Sequence, residues 1–123
     1  MIYLKKIISQ DIERNPTFSQ AAISGYFCID IPNGEEVSRK IILKPNNIHF
    51  DIIFKHRNTR NEYRIFLNEL FTHITPEIGD ILIFSKLDAT TYECEYIGLN
   101  NPQYISISAR FNGLSNHQFL TNI

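Results

Sequence analysis

Apolar and polar residues alternate along much of the chain, and a period of two marks half-buried β-strands. Ile48, Phe50, Ile52 and Phe54 fall on one face, whereas His49, Asp51 and Lys55 fall on the other. Gly25–Ile31 (GYFCIDI) predicts a second strand, closed by Pro32-Asn33-Gly34; Asn-Gly suits a turn because both residues tolerate positive φ. Arg39–Lys44 predicts a third strand, ended by Pro45-Asn46-Asn47. Ile81–Phe84 follows a turn at Gly79-Asp80, and in Tyr92–Ile97 the residues Tyr92, Cys94 and Tyr96 alternate with Glu93 and Glu95. These two runs predict a hairpin with one solvated acidic face. Tyr104–Ser108 predicts a last short strand.

One helix interrupts the series. Within Phe66–Phe71, Leu67, Leu70 and Phe71 share a face at i, i+3 and i+4, and Thr75-Pro76 provides a stop. Asp11–Ser19 has room for a second helix, but Pro16 and its polar content favour a loop. The sum is a mainly β (α+β) domain, a small mixed or open barrel of about seven strands with one or two short helices. No internal repeat, low-complexity tract or linker divides residues 1–123, so one domain is expected.

The chain is 43% hydrophobic with a mean hydropathy of −0.18, which argues against disorder and against a membrane span, and no membrane partner is expected. No apolar run approaches the roughly 20 residues of a membrane span, and Met1 leads straight into Ile2-Tyr3-Leu4-Lys5-Lys6 without a secretory leader. A cytoplasmic protein is expected. The net charge of −1 excludes a uniformly basic nucleic-acid coat. It hides an asymmetry, however. Residues 1–64 hold ten of the twelve Lys and Arg and seven of the thirteen acids, making that half formally +3 and the remainder −4.

Catalytic and metal chemistry find little support. Cys28 and Cys94 lie in apolar runs and are read as two buried thiols. His49, His56, His73 and His117 lack zinc-ligand spacing. Glu93 and Glu95 have no Glu-x-Lys pair of the kind that would suggest a Mg²⁺-dependent nuclease, and the five glycines form no phosphate loop. No cofactor, metal or catalytic residue is therefore expected.

The informative stretch is Lys55-His56-Arg57-Asn58-Thr59-Arg60-Asn61-Glu62-Tyr63-Arg64. It has the composition of an ordinary solvated basic loop, but also more than that. Arg and Lys suit phosphates and guanine edges, Asn suits adenine, and Glu accepts from cytosine N4; the mixture is what base readout with backbone anchoring requires. A second polar segment, Ser9–Gln20, is longer than a strand connection needs. Its Gln10, Asn15 and Gln20 suit adenine, and Arg14 suits guanine or phosphate.

Taken together, these segments resemble the N-terminal effector-binding domain of EcoRII-type restriction endonucleases, which shares the DNA-binding pseudobarrel fold of plant B-three transcription factors. The resemblance spans roughly residues 3–88. It begins at Tyr3-Leu4-Lys5-Lys6-Ile7 and Ser9-x-Asp11, passes through a strand ending Ile31-Pro32, and closes on Ile81–Asp88. It is sharpest at Thr59-Arg60-Asn61-Glu62-Tyr63-Arg64-Ile65, where Tyr63 departs from a basic residue of the family. The first segment also has Asn15-Pro16 in place of the family's Gly-Gly-rich centre.

The resemblance implies an open seven-stranded pseudobarrel with two recognition arms gripping double-stranded DNA in the major groove. The first arm would be Ser9–Gln20, offering Ser9, Gln10, Arg14, Asn15, Ser19 and Gln20, with Lys5 and Lys6 near its base. The second would offer Lys55, Arg57, Asn58, Arg60, Asn61, Glu62 and Arg64. A nuclease domain or subunit would lie outside these residues. The rival readings are an RNA- or modified-base-reading pseudobarrel, a small autonomous nuclease, and a protein-interaction barrel.

Overall fold

The computed structural model describes residues 1–14, 16–57, 62–67 and 69–123. Seven strands form one mixed sheet: β1 (Ile2–Lys6), β2 (Glu36–Leu43), β3 (Ile48–His56), β4 (Tyr63–Phe66), β5 (Ile81–Lys86), β6 (Thr91–Ile97) and β7 (His117–Leu120). Their spatial order is β4-β3-β2-β6-β5-β1-β7. Only β2 and β6 run parallel; the other neighbours are antiparallel. The sheet curls into a half-barrel and the protein is mostly β, in line with the sequence pattern. The ends β4 and β7 do not pair with each other, so the barrel is open.

The alternation of β3 places Phe50, Ile52 and Phe54 in the core, with His49, Asp51 and Lys55 outside. The β5–β6 hairpin forms as its sequence indicates, pairing Ile81 with Ile97 and Lys86 with Tyr92. Aromatic rings fill the half-barrel. Phe27 is fully buried at its centre, within 5.1–5.6 Å of the rings of Phe18, Tyr26, Phe54 and Phe84 and 4.8 Å from Tyr92.

Gly25–Ile31 is not a strand. A π-helical turn, Ala22–Tyr26, occupies its start. Ala22, Ile23, Tyr26 and Phe27 are all buried, a spacing of i, i+1, i+4 and i+5 that belongs to a helical surface. Cys28 then takes φ 56°, which ends any extended run. The Arg39 guanidinium donates to the carbonyls of Phe27 (2.8 Å) and Cys28 (3.0 Å), occupying acceptors that a sheet neighbour would have used. Cys28 is consequently exposed, correcting the expectation of two buried thiols; Cys94 is buried, and both are free.

Tyr104–Ser108 is also not a strand but a short helix, α3; α1 (Ser9–Glu13) and α2 (Leu70–His73) precede it. A strand would put Ile105 and Ile107 on one face, yet Ile107 is buried and Ile105 is 83% exposed. Ile107 and Phe111 instead pack with Leu4, Ile81, Ile83 and Ile97 in a second apolar cluster on the outer face of the sheet. The expected helix at Phe66–Phe71 begins later because Phe66 stays in β4, paired with Ile53. Asn68 lies outside the described residues. The first arm was expected as a loop, but α1 occupies its start. The C-terminal segment contributes β7, which pairs with β1. Among the described residues no helix is long and apolar enough to cross a membrane.

Truncating Phe27 to Ala removes the ring at the centre of this cluster and is expected to cost about 3–5 kcal/mol. Ile105→Ala is expected to stay within about 0.5 kcal/mol of the native protein. Urea denaturation of the two variants checks both values.

Candidate nucleic-acid interface

The chain leaves β1 at Lys6 and must turn away from the sheet to begin the first arm. Alternation along β1 puts Tyr3, Lys5 and Ile7 on the core side and Leu4 on the other. Lys5 is therefore carried into the interior, where it is 0% exposed. Its ammonium meets the buried Asp11 carboxylate at 3.0 Å and Thr17 Oγ1 at 3.2 Å. Asp11 also accepts from the backbone N–H groups of Ile8 (2.8 Å) and Thr17 (2.7 Å) and from the Thr17 hydroxyl (2.9 Å). Burial pushes the Lys5 pKa down, opposed by the attraction of Asp11.

This network ties both ends of the first arm together at its neck. Ile12, Glu13 and Arg14 project beyond it, exposed. After the neck, Phe18 turns back into the core and Ser19 accepts from the Ala22 N–H at 3.1 Å, leading into the π-helical turn. Ser19 N also approaches Tyr3 Oη (3.4 Å), which lies 2.6 Å from His117 Nδ1.

The second arm grows from the β3–β4 hairpin. His56 pairs with Tyr63 across the ladder and their rings stack at 4.6 Å. His56 Nδ1 lies 2.6 Å from the Ile31 carbonyl, and Tyr63 Oη accepts from the Ile31 N–H at 3.2 Å. The Arg57 N–H donates to the Glu62 carbonyl at 2.8 Å, and their side chains form a half-exposed ion pair at 3.6 Å. Such a pair in water is worth about 0–1 kcal/mol, so either partner is cheaply redirected to a ligand. Lys55 and Arg64 are opposite each other on β3 and β4. Like charges so placed repel, and an anion relieves the repulsion. Among the described residues Arg64 Nε, although buried, has no hydrogen-bond partner.

The two arms converge. A cleft of about 210 Å³ is lined by Gln10, Thr17 and Gln20 of the first segment and by Arg57, Glu62 and Arg64 of the second. Phe18, Ile23 and Ile65 also line it and are buried in the core below. Of the residues anticipated from sequence, Gln10, Gln20, Arg57, Glu62 and Arg64 meet here, and Ser9, Arg14 and Lys55 are exposed.

Lys5 departs from the expectation of a DNA contact: it is an interior post whose charge is spent on Asp11. Lys6 points to the outer face, 4.7 Å above the Phe111 ring and 3.5 Å from Ser108 Oγ. The Ser19 hydroxyl is engaged at the entry to the helical turn. Asn15, Asn58, Arg60 and Asn61 lie outside the described residues. Sequence reasoning missed Asp11, Thr17 and Tyr63 as the groups that shape the arms. The readable signal for the first was the Tyr3-Lys5-Ile7 alternation, which turns a lysine inward and so demands a buried acid. Among the described residues no group of three or more His, Cys, Asp or Glu is placed to hold a metal ion.

Comparison with solved structures finds the N-terminal domain of Helicobacter pylori LlaJI.R1, with a TM-score of 0.74 and 18% identity over 99% of this chain and 98% of that one. At that identity the likeness establishes a shared fold. No protein-family model and no curated protein matches the sequence.

Removing Asp11 leaves the Lys5 ammonium buried without a counter-charge, so Asp11→Ala is expected to lose about 3–5 kcal/mol in urea denaturation. Replacing the pair together, Lys5→Met with Asp11→Leu, is expected to recover most of that loss. It still deprives the Ile8 and Thr17 N–H groups of their acceptor, so limited proteolysis is expected to cut the first arm faster than in the native chain.

Burial, with a smaller contribution from Lys5, lowers the His117 pKa below its ordinary value. The unfolded chain therefore takes up a proton more readily, and stability is lost as pH falls through about 6.5. Urea midpoints measured from neutral to mildly acid pH are expected to show this slope, and His117→Gln to flatten it.

Proposed function

We propose that the chain is a sequence-specific double-stranded DNA-recognition domain, the target- or effector-binding module of a bacterial restriction endonuclease whose nuclease lies in another domain or subunit. The observation that carries this reading is the convergence of two polar segments, distant in sequence, in the lining of one cleft. The resemblance of the Thr59–Ile65 run to EcoRII-type effector-binding domains supports it. So does the likeness in fold to a protein segment that is itself an N-terminal domain.

In this reading the arms enter the major groove. Gln10, Gln20, Arg57 and Glu62 offer donors and acceptors to base edges, with Asn15, Asn58, Arg60 and Asn61 as further contacts. Arg14, Lys55 and Arg64 hold phosphates. Lys5 contributes by fixing the first arm. The domain itself carries out no catalysis, and its partners are the duplex and the nuclease. The net charge of −1 implies weak non-specific binding at physiological salt.

Selection from a randomised duplex pool on the purified chain is expected to return a motif. A preference without a motif, or no binding even at low salt, removes the reading. Arg60→Ala is expected to weaken the selected site by about 1–3 kcal/mol more than random duplex. An equal loss on both makes Arg60 a phosphate clamp. Plasmid cleavage by the chain with Mg²⁺ overturns the non-catalytic assignment.

A further inference from the structure

In the reading above the arms enter the major groove, which leaves the cleft between them without an occupant. The sites of drug-sized ligands run to about 300–1,000 Å³. At about 210 Å³ the space suits a single planar group. Phe18, Ile23 and Ile65 form a small apolar floor, 7%, 4% and 2% exposed respectively, beneath a lining that is mostly polar. Among the described residues the side-chain amides of Gln10 and Gln20, at its rim, make no hydrogen bond within the protein. An amide donates and accepts at once, and the Glu62 carboxylate accepts. Arg64 Nε adds a donor with no partner among the described residues.

We infer that this cleft receives one nucleobase turned out of the duplex. The apolar floor meets the base, and the amides and Glu62 address its Watson–Crick edge in place of an edge left in the groove. The proposal rests on the DNA-binding reading and adds a chemical step to it: one base pair opens on binding. Opening requires a few kcal/mol of unstacking, least at a mismatched or abasic position. Recognition therefore includes how easily one pair of the site opens, as well as which edges line the groove. Of the bases, one presenting an exocyclic amine suits Glu62, since a carboxylate accepts and does not donate.

The test uses the selected duplex with 2-aminopurine substituted at each position in turn. One position is expected to brighten several-fold on binding, because the fluorophore is freed from stacking. A mismatch at that pair is expected to tighten binding by roughly tenfold or more. Gln20→Trp, which fills the exposed rim, is expected to abolish the brightening and weaken the intact site, while thermal denaturation shows the variant folded. A duplex that binds with 2-aminopurine silent at every position overturns this inference alone, whatever Gln20→Trp does to affinity. No duplex bound at low salt overturns it together with the reading on which it rests.

Discussion

A lysine buried in the first strand dictates the shape of the candidate interface of this protein. A strand's side chains alternate without choice, so a Lys between Tyr3 and Ile7 goes inward with them. An isolated ammonium there would be expensive, and the chain meets that need with Asp11. The carboxylate in turn needs donors for its remaining lone pairs, and it takes them from Ile8, Thr17 N–H and the Thr17 hydroxyl. Each requirement recruits the next, and the product is a closed neck from which the first arm projects. An ion pair of this kind adds little net stability over apolar residues of the same size. What it supplies is a fixed position for the residues that follow.

The second arm solves the same problem with rings and backbone. The hairpin of β3 and β4 is at the edge of an open sheet, where a bare two-stranded ribbon would be marginal. The stack of His56 on Tyr63, and their contacts to Ile31, couple the stem to the segment that follows the helical plug. Tyr63 thus holds the stem at the position where the resembled family has a basic residue. One arm is anchored by a buried charge and the other by aromatic packing, and both lean on the core that surrounds Phe27.

Much of this was legible in the sequence, and the failures have a common cause. Strands with one wet face, such as β3 and β6, announce themselves because their polar residues alternate. The plug at Ala22–Tyr26 does not, since a segment buried inside a half-barrel has no wet face to set a period. Beginning the pattern at Gly25 hid the spacing that Ala22 and Ile23 complete. In α3, five residues are too few for either period to dominate, and the partner surface decided. Residue type singled out two polar segments that meet at one cleft, but not which lysines face solvent. Lys5 and Lys6 are adjacent in sequence and end on opposite sides of a strand, one in the interior and one over Phe111.

The stem of the second arm has an evolutionary consequence. Among the described residues its closure uses the stacked rings of His56 and Tyr63, the backbone of Ile31 and the Arg57–Glu62 backbone bond. The stack makes His56 and Tyr63 a single unit under selection, since a change at either alters the partner of the other. The exposed Lys55, beside His56 on the same strand, carries no such constraint and is free to drift while the barrel beneath it stays the same.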